Sequence, residues 1–200
     1  MQVPTKLALL ALSLVLLSGG VAVAEGPQEN PTGVSKEVAV GKVMAPGEMH
    51  KHLAKMAGDW TFTNRMWMAP GQPPLEWSGT MHAETILGGR YVQSIWMGSF
   101  MGQEFEGRGT EGYDHVAQQY ASSWVDSLGS GIVLATGTCE DGGRKCTTTR
   151  SSSDPVTGGP STMKTVVSWI DDDNFKREMY AKDPASGQEY KAMEIVAKRK

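Results

Sequence analysis

Two histidines flank a lysine in His50-Lys51-His52, a pairing that invites a metal ion. On a helix, residues two apart point about 200° from each other, so the two imidazoles cannot share one ion. A solvated helix face is the expectation for this stretch. His82 falls in mid-strand and His115 in the turn after Tyr113-Asp114, and neither has a histidine partner at ligand spacing. A haem would need one well-placed axial ligand, and no motif supports His82 in that role. Neither a metal nor a cofactor is expected.

Asp171-Asp172-Asp173-Asn174 crowds three acids and an amide together. Calcium favours such oxygen ligands, but the EF-hand spacing and its closing glutamate are missing, which leaves a solvated hairpin tip. Ser122, Ser123 and Ser151 to Ser153 stand in no Gly-x-Ser-x-Gly elbow. Gly107-Arg108-Gly109 is not followed by the helix that a phosphate loop requires. No catalytic residue is assigned on these patterns.

Cys139 and Cys146 bracket a turn sequence centred on Gly142-Gly143. Counting outward from the glycines sets the cysteines opposite each other on antiparallel strands, within disulfide reach at Cα. A disulfide stapling one hairpin is expected. A redox pair would usually read Cys-x-x-Cys, and two thiols alone make a poor zinc site.

The elements that must carry these residues are legible from punctuation and period. Lys6, the apolar run Leu7 to Leu17 and the small-x-small Ala22-Val23-Ala24 read as a secretory signal peptide over 1–24, cleaved near Ala24. Export to the periplasm or beyond would supply the oxidising compartment that a disulfide needs. Residues 25–45, with Pro27, Pro31 and several glycines, read as a flexible leader, and 46–200 as one domain. Met49, Leu53, Met56 and Ala57 form one stripe on about three turns of helix, with Gly58 as the stop. No later run is apolar enough to span a membrane as a helix. The chain is mildly acidic, at −3, and shows no basic footprint for nucleic acid.

Beyond Gly58, strand patterns run through 60–68, 75–87, 90–100, 104–113, 118–125, 131–139, 145–152, 162–170, 174–181 and 188–198. Turn residues separate them, among them Pro70-Gly71, Gly88-Gly89, Gly102 and Asp154 to Gly159. About ten short strands with hairpin-like links, and no crossover helix, predict an all-β, antiparallel up-and-down barrel with a short N-terminal helix. Gly107, Gly109 and Gly112 on one strand suggest close backbone approach.

Gly58-Asp59-Trp60 after a short helix resembles the calycin superfamily of lipocalin-like barrels, in which the tryptophan plugs one end. That resemblance implies a basic side chain of the last strand, Lys198 or Arg199, lying across Trp60. The phrases His52 to Trp60, Ala83 to Val92, Gly112-Tyr113-Asp114, Ser122 to Asp126 and Met193 to Val196 are similar to a bacterial domain-of-unknown-function family. The family implies a lipocalin-like barrel over about 50–200 and carries no established reaction.

The period of two then selects candidate contacts. An inward Trp60 brings Phe62, Asn64 and Met66 inward with it. Gln93 shares a face with Tyr91 and Ile95, Arg177 with Phe175 and Met179, and Glu194 with Ala192 and Val196. Those faces either turn inward, where Arg177 and Glu194 would pair, or outward as solvated charge, since one bulge would flip the assignment. Asn64, Gln93, Arg177 and Glu194 are the candidate orienting groups, and Trp124 a lining aromatic. The leading expectation is an exported, noncatalytic carrier or sensor of a small, largely apolar molecule. The alternatives are an isomerase or hydrolase using the same cavity, and an envelope interaction module with a filled core.

Overall fold

The computed structural model describes residues 40–41, 43–153 and 158–200. The expected signal peptide and the leader as far as residue 39 lie outside the described residues. The end of the leader is not a free tether. Arg90 donates to the Met44 carbonyl from both Nε and Nη2, and His115 Nε2 lies 3.1 Å from the Ala45 carbonyl.

Ten strands occur among the described residues. They are β1 (Gly58–Met66), β2 (Leu75–Ile86), β3 (Tyr91–Phe100), β4 (Gln103–Asp114), β5 (Gln119–Asp126), β6 (Val133–Glu140), β7 (Lys145–Ser153), β8 (Pro160–Trp169), β9 (Asn174–Lys182) and β10 (Glu189–Arg199). Each pairs antiparallel with the next, and β10 returns to β1 to close the barrel. Closure removes the sheet edges on which an open antiparallel sheet would aggregate. In β1 the pattern is plain, with Trp60, Phe62 and Asn64 buried between exposed Thr61, Thr63 and Arg65. The link from β3 to β4 is two residues, Met101 and Gly102, both at positive φ. That is the twist-matched hairpin turn.

A helix at Glu48–Ala54 lies across one end of the barrel. It is shorter than the apolar stripe suggested. After Ala54 the chain tightens, with Met56 N–H donating to Leu53 and Ala57 N–H to Ala54. Gly58 is therefore the first residue of β1, not the helix stop, at φ 131°. The reason is steric: a Cβ there would lie 2.6 Å from Arg199 Nη1.

Trp60 is fully buried at this end. Its Nε1 donates to the Met56 carbonyl at 3.0 Å, and Phe175 and Trp169 meet its ring edge-on. The Arg199 guanidinium lies 4.1 Å from the indole centroid. It also donates to the carbonyls of Ala57 and Lys55 and to the Asp173 carboxylate. One side chain thus ties the last strand to the helix end, the first strand and the β8–β9 turn, and lends a cation–π contact. Asp171 accepts from the Asp173 N–H and the Asn174 amide, so the acidic run folds on itself as a hairpin tip. Cys139 and Cys146 face each other in register and are disulfide-bonded, across a short 3₁₀ turn at Asp141–Gly143.

Gly58→Ala should cost about 2–4 kcal/mol, because it combines a strained φ with displacement of Arg199. In an Arg199→Ala background the same change should cost less, since the clash partner is gone, and urea unfolding of the four proteins measures this. Strict additivity would show that Arg199 does not depend on Gly58.

Candidate ligand cavity

Above the Trp60 plug, the inward positions enclose a cavity of about 330 Å³. From β1 to β3 it is walled by Phe62, Met66, Trp77, Trp96 and Phe100, with Asn64 and Ser94 as polar members. These three strands contribute no charged side chain to the lining. The charged members, Glu111, Asp126, Arg150 and Arg177, come from β4, β5, β7 and β9. Leu128 also lines the cavity yet is 52% exposed, so the space reaches solvent at the end away from the helix. A filled-core module does not fit this interior.

The glycines of β4 make the room. A Cβ on Gly107 would collide with the Trp124 indole, and one on Gly109 would lie 3.3 Å from it. The ring lies flat against that strand, where Nε1 donates to Asp126 Oδ2 at 2.7 Å. Asp126 Oδ1 accepts from the Leu128 N–H. Trp96 donates to Ser94 Oγ, a neighbour on its own face.

Asn64, Trp124 and Arg177 all line the cavity. Gln93 does not. Val92, Ser94 and Trp96 are the buried positions of β3, which sends Gln93 outward beside Tyr91 at 41% exposure. The phase follows from Gly112, which lets the Tyr91 ring lie across the outer surface. Glu194 is also outside. In register with β1, Met193 and Ile195 lie opposite inward Met66 and Asn64, while Glu194 lies opposite outward Arg65 and meets Lys191 and Arg65. The internal partner of Arg177 is instead Glu111, at 2.8 Å. Glu111, Asp126 and Arg150 line the cavity without standing in any motif. Their parity with Gly109, Trp124 and the cysteine staple is the signal that could have found them.

Several buried polar atoms of the wall have no hydrogen-bond partner among the described residues. They are Asn64 Oδ1, Trp77 Nε1, Arg150 Nε, Arg177 Nε and His52 Nε2. Asn64 is only 4% exposed. Buried polar groups are almost always paired, so this clustering in one cavity marks a place where polar contacts are on offer.

The helix closes the other end with its histidines, contrary to the solvated face expected. His50 is 5% exposed and packs against Tyr113 and His115, while Gly47 N–H donates to its Nδ1. His52 meets Trp169 and Gly143. They point apart, as the helix period requires, but the helix is sunk in the barrel end and both flanks find walls. Burial lowers the pKa of each; His115 and Arg90 push His50 further down, and Lys55 does so for His52. Burial raises the Tyr120 phenol to about 12, which keeps it a donor to Met49 Sδ. Among the described residues no group of three or more His, Cys, Asp or Glu could hold a metal ion. His82 sits on the outer face, 2.8 Å from Asp59. No helix among the described residues is long and apolar enough to cross a membrane.

The family model for "Protein of unknown function (DUF1579)" matches residues 45–199. The chain belongs to the DUF1579 family. Solved structures agree on the fold. Rv2717c from M. tuberculosis superposes with a TM-score of 0.55 at 13% identity, over 78% of this chain and 99% of that one. The S-type phycobiliprotein lyase CPES from Guillardia theta gives 0.54 at 10% identity, over 80% and 96%. A search of curated proteins finds no match. The chain thus shares its barrel fold with these two structures, here a closed antiparallel ring of ten strands.

Because burial lowers the pKa of His50 and His52 in the folded state, the unfolded chain binds more protons near pH 6.5. Stability should therefore fall as pH drops through that value, and His50→Gln should flatten the fall. Urea unfolding at about pH 7.5 and 5.5 reads it; an unchanged slope in the variant would remove His50 from the account.

Proposed function

We propose that this DUF1579 protein is an exported, noncatalytic binding protein for a small, largely apolar molecule held in the barrel cavity. The observation that carries the reading is an interior of about 330 Å³, walled by aromatics and methionines, in which isolated polar atoms stand unpaired. Ligand sites are built this way, with apolar area for affinity and a few polar groups for orientation. The volume falls at the lower end of the ~300–1,000 Å³ range of small-molecule pockets. Asn64, Trp124 and Arg177 orient and line the site, while Trp60 and Arg199 close its end.

The cavity acids favour binding over catalysis. Glu111 is taken up by Arg177, and Asp126 by the Trp124 and Leu128 N–H groups. General acid–base work needs a group free to exchange its proton with substrate. Export is supported by the signal-like residues 1–24 and by the disulfide, which persists in oxidising compartments. The layout that goes with it is a cleaved signal, a leader over 25–45 and a binding domain over 46–200.

Trp77, Trp96 and Trp124 make the cavity its own reporter. Neutral N-phenyl-1-naphthylamine should quench tryptophan emission saturably. Ala135→Trp, which fills the cavity from β6, should abolish that quenching while leaving the far-UV spectrum intact. Equal quenching in both proteins would place the probe elsewhere and sink the reading.

A further inference from the structure

We infer that the ligand is an amphiphile with one anionic head, and that Arg150 on β7 receives that head. This deepens the proposed binding function and rests on it.

Four charged side chains line the cavity, and three of them are engaged. Arg177 and Glu111 form an ion pair at 2.8 Å. Asp126 spends one oxygen on Trp124 Nε1 and the other on the Leu128 N–H. Arg150 stands apart: among the described residues no carboxylate lies within ion-pair distance of it, and its buried Nε has no hydrogen-bond partner. Asp126 acts on it only through space, and burial works against its charge. A guanidinium stays protonated even so, and holding one in a largely apolar interior without a counter-ion is costly.

The surroundings say what would relieve that cost. By register, Arg150 lies between Ala135 on β6 and Met163 on β8, two positions along β7 from Thr148, which pairs with Thr165. Ser122 on β5 neighbours Ala135. Arg150 and these three hydroxyl residues all line the cavity and form a polar sector on β5 to β8. The opposite sector, β1 to β3, offers Phe62, Met66, Trp77 and Phe100 and no charge. A ligand matching both sectors carries a hydrocarbon body and a single acceptor-rich head. The planar fork of arginine suits a carboxylate, or another oxyanion, through two parallel hydrogen bonds. Three of the five unpaired atoms, Arg150 Nε, Arg177 Nε and Trp77 Nε1, are donors; Asn64 Oδ1 is an acceptor, and His52 Nε2 takes either role according to its tautomer.

Titration calorimetry with decanoate and 1-decanol at about pH 8, where the acid is ionised, separates the two levels of the claim. The wild-type protein should bind decanoate at least about tenfold more tightly than decanol. Arg150→Gln should erase that preference with decanol affinity unchanged, and Arg150→Lys should keep part of it. Equal binding of acid and alcohol by the wild type overturns the inference and leaves the binding function standing. Failure of both to bind overturns the two together. A structural role is tested by urea unfolding of Arg150→Met. Removing a half-buried charge that has no ion-pair partner should leave stability unchanged or higher, whereas a large loss would show that Arg150 supports the barrel instead and would overturn the assignment.

Discussion

Barrel diameter grows with strand number, and eight strands already enclose about as much interior as side chains can fill. With ten strands closed into one ring, this chain must stop up part of that interior and leave the rest open. The stopping is done at the helix end by Trp60, Phe175 and Trp169, with Arg199 laid over the indole. The remainder is the cavity. Its walls follow from the same constraint, because Gly107 and Gly109 allow the Trp124 ring to lie flat instead of projecting across the lumen.

The electrostatics of the interior depend on that geometry. Charges inside a low-dielectric lumen persist only when compensated. Glu111 and Arg177 lie 66 residues apart in sequence, on β4 and β9, and meet because closure sets those strands across the lumen. Asp126 is compensated locally by an indole and a backbone N–H. Arg150 has no such arrangement, and this asymmetry turns a generic apolar hole into a cavity with a polar side.

Much of the architecture was legible in the residues. Paired glycines and Asp-rich turns cut the chain into ten segments that match the observed strands to within two residues at every end. The Gly142-Gly143 turn placed Cys139 opposite Cys146, as found. The plug was legible through resemblance, with Arg199 the side chain that crosses Trp60. Face assignment was less secure, for a physical reason. Period two fixes which residues share a face but not which face is inside. On β3, Gly112 lets Tyr91 lie outside and Gln93 with it, and on β10 Glu194 lies opposite outward Arg65. Of the two faces that the period leaves open, Gln93 and Glu194 therefore take the outward one. Arg150 could have been reached from the inward cysteine, since Cys146, Thr148 and Arg150 share one parity and all line the cavity.

The account turns on whether this interior carries a molecule in the cell. Native mass spectrometry of the protein purified from the cells that make it addresses that most directly. A discrete added mass, released on denaturation and ionising as an anion, is the predicted result. A protein that flies at its bare chain mass under gentle conditions, from cells rich in lipophilic acids, would contradict it.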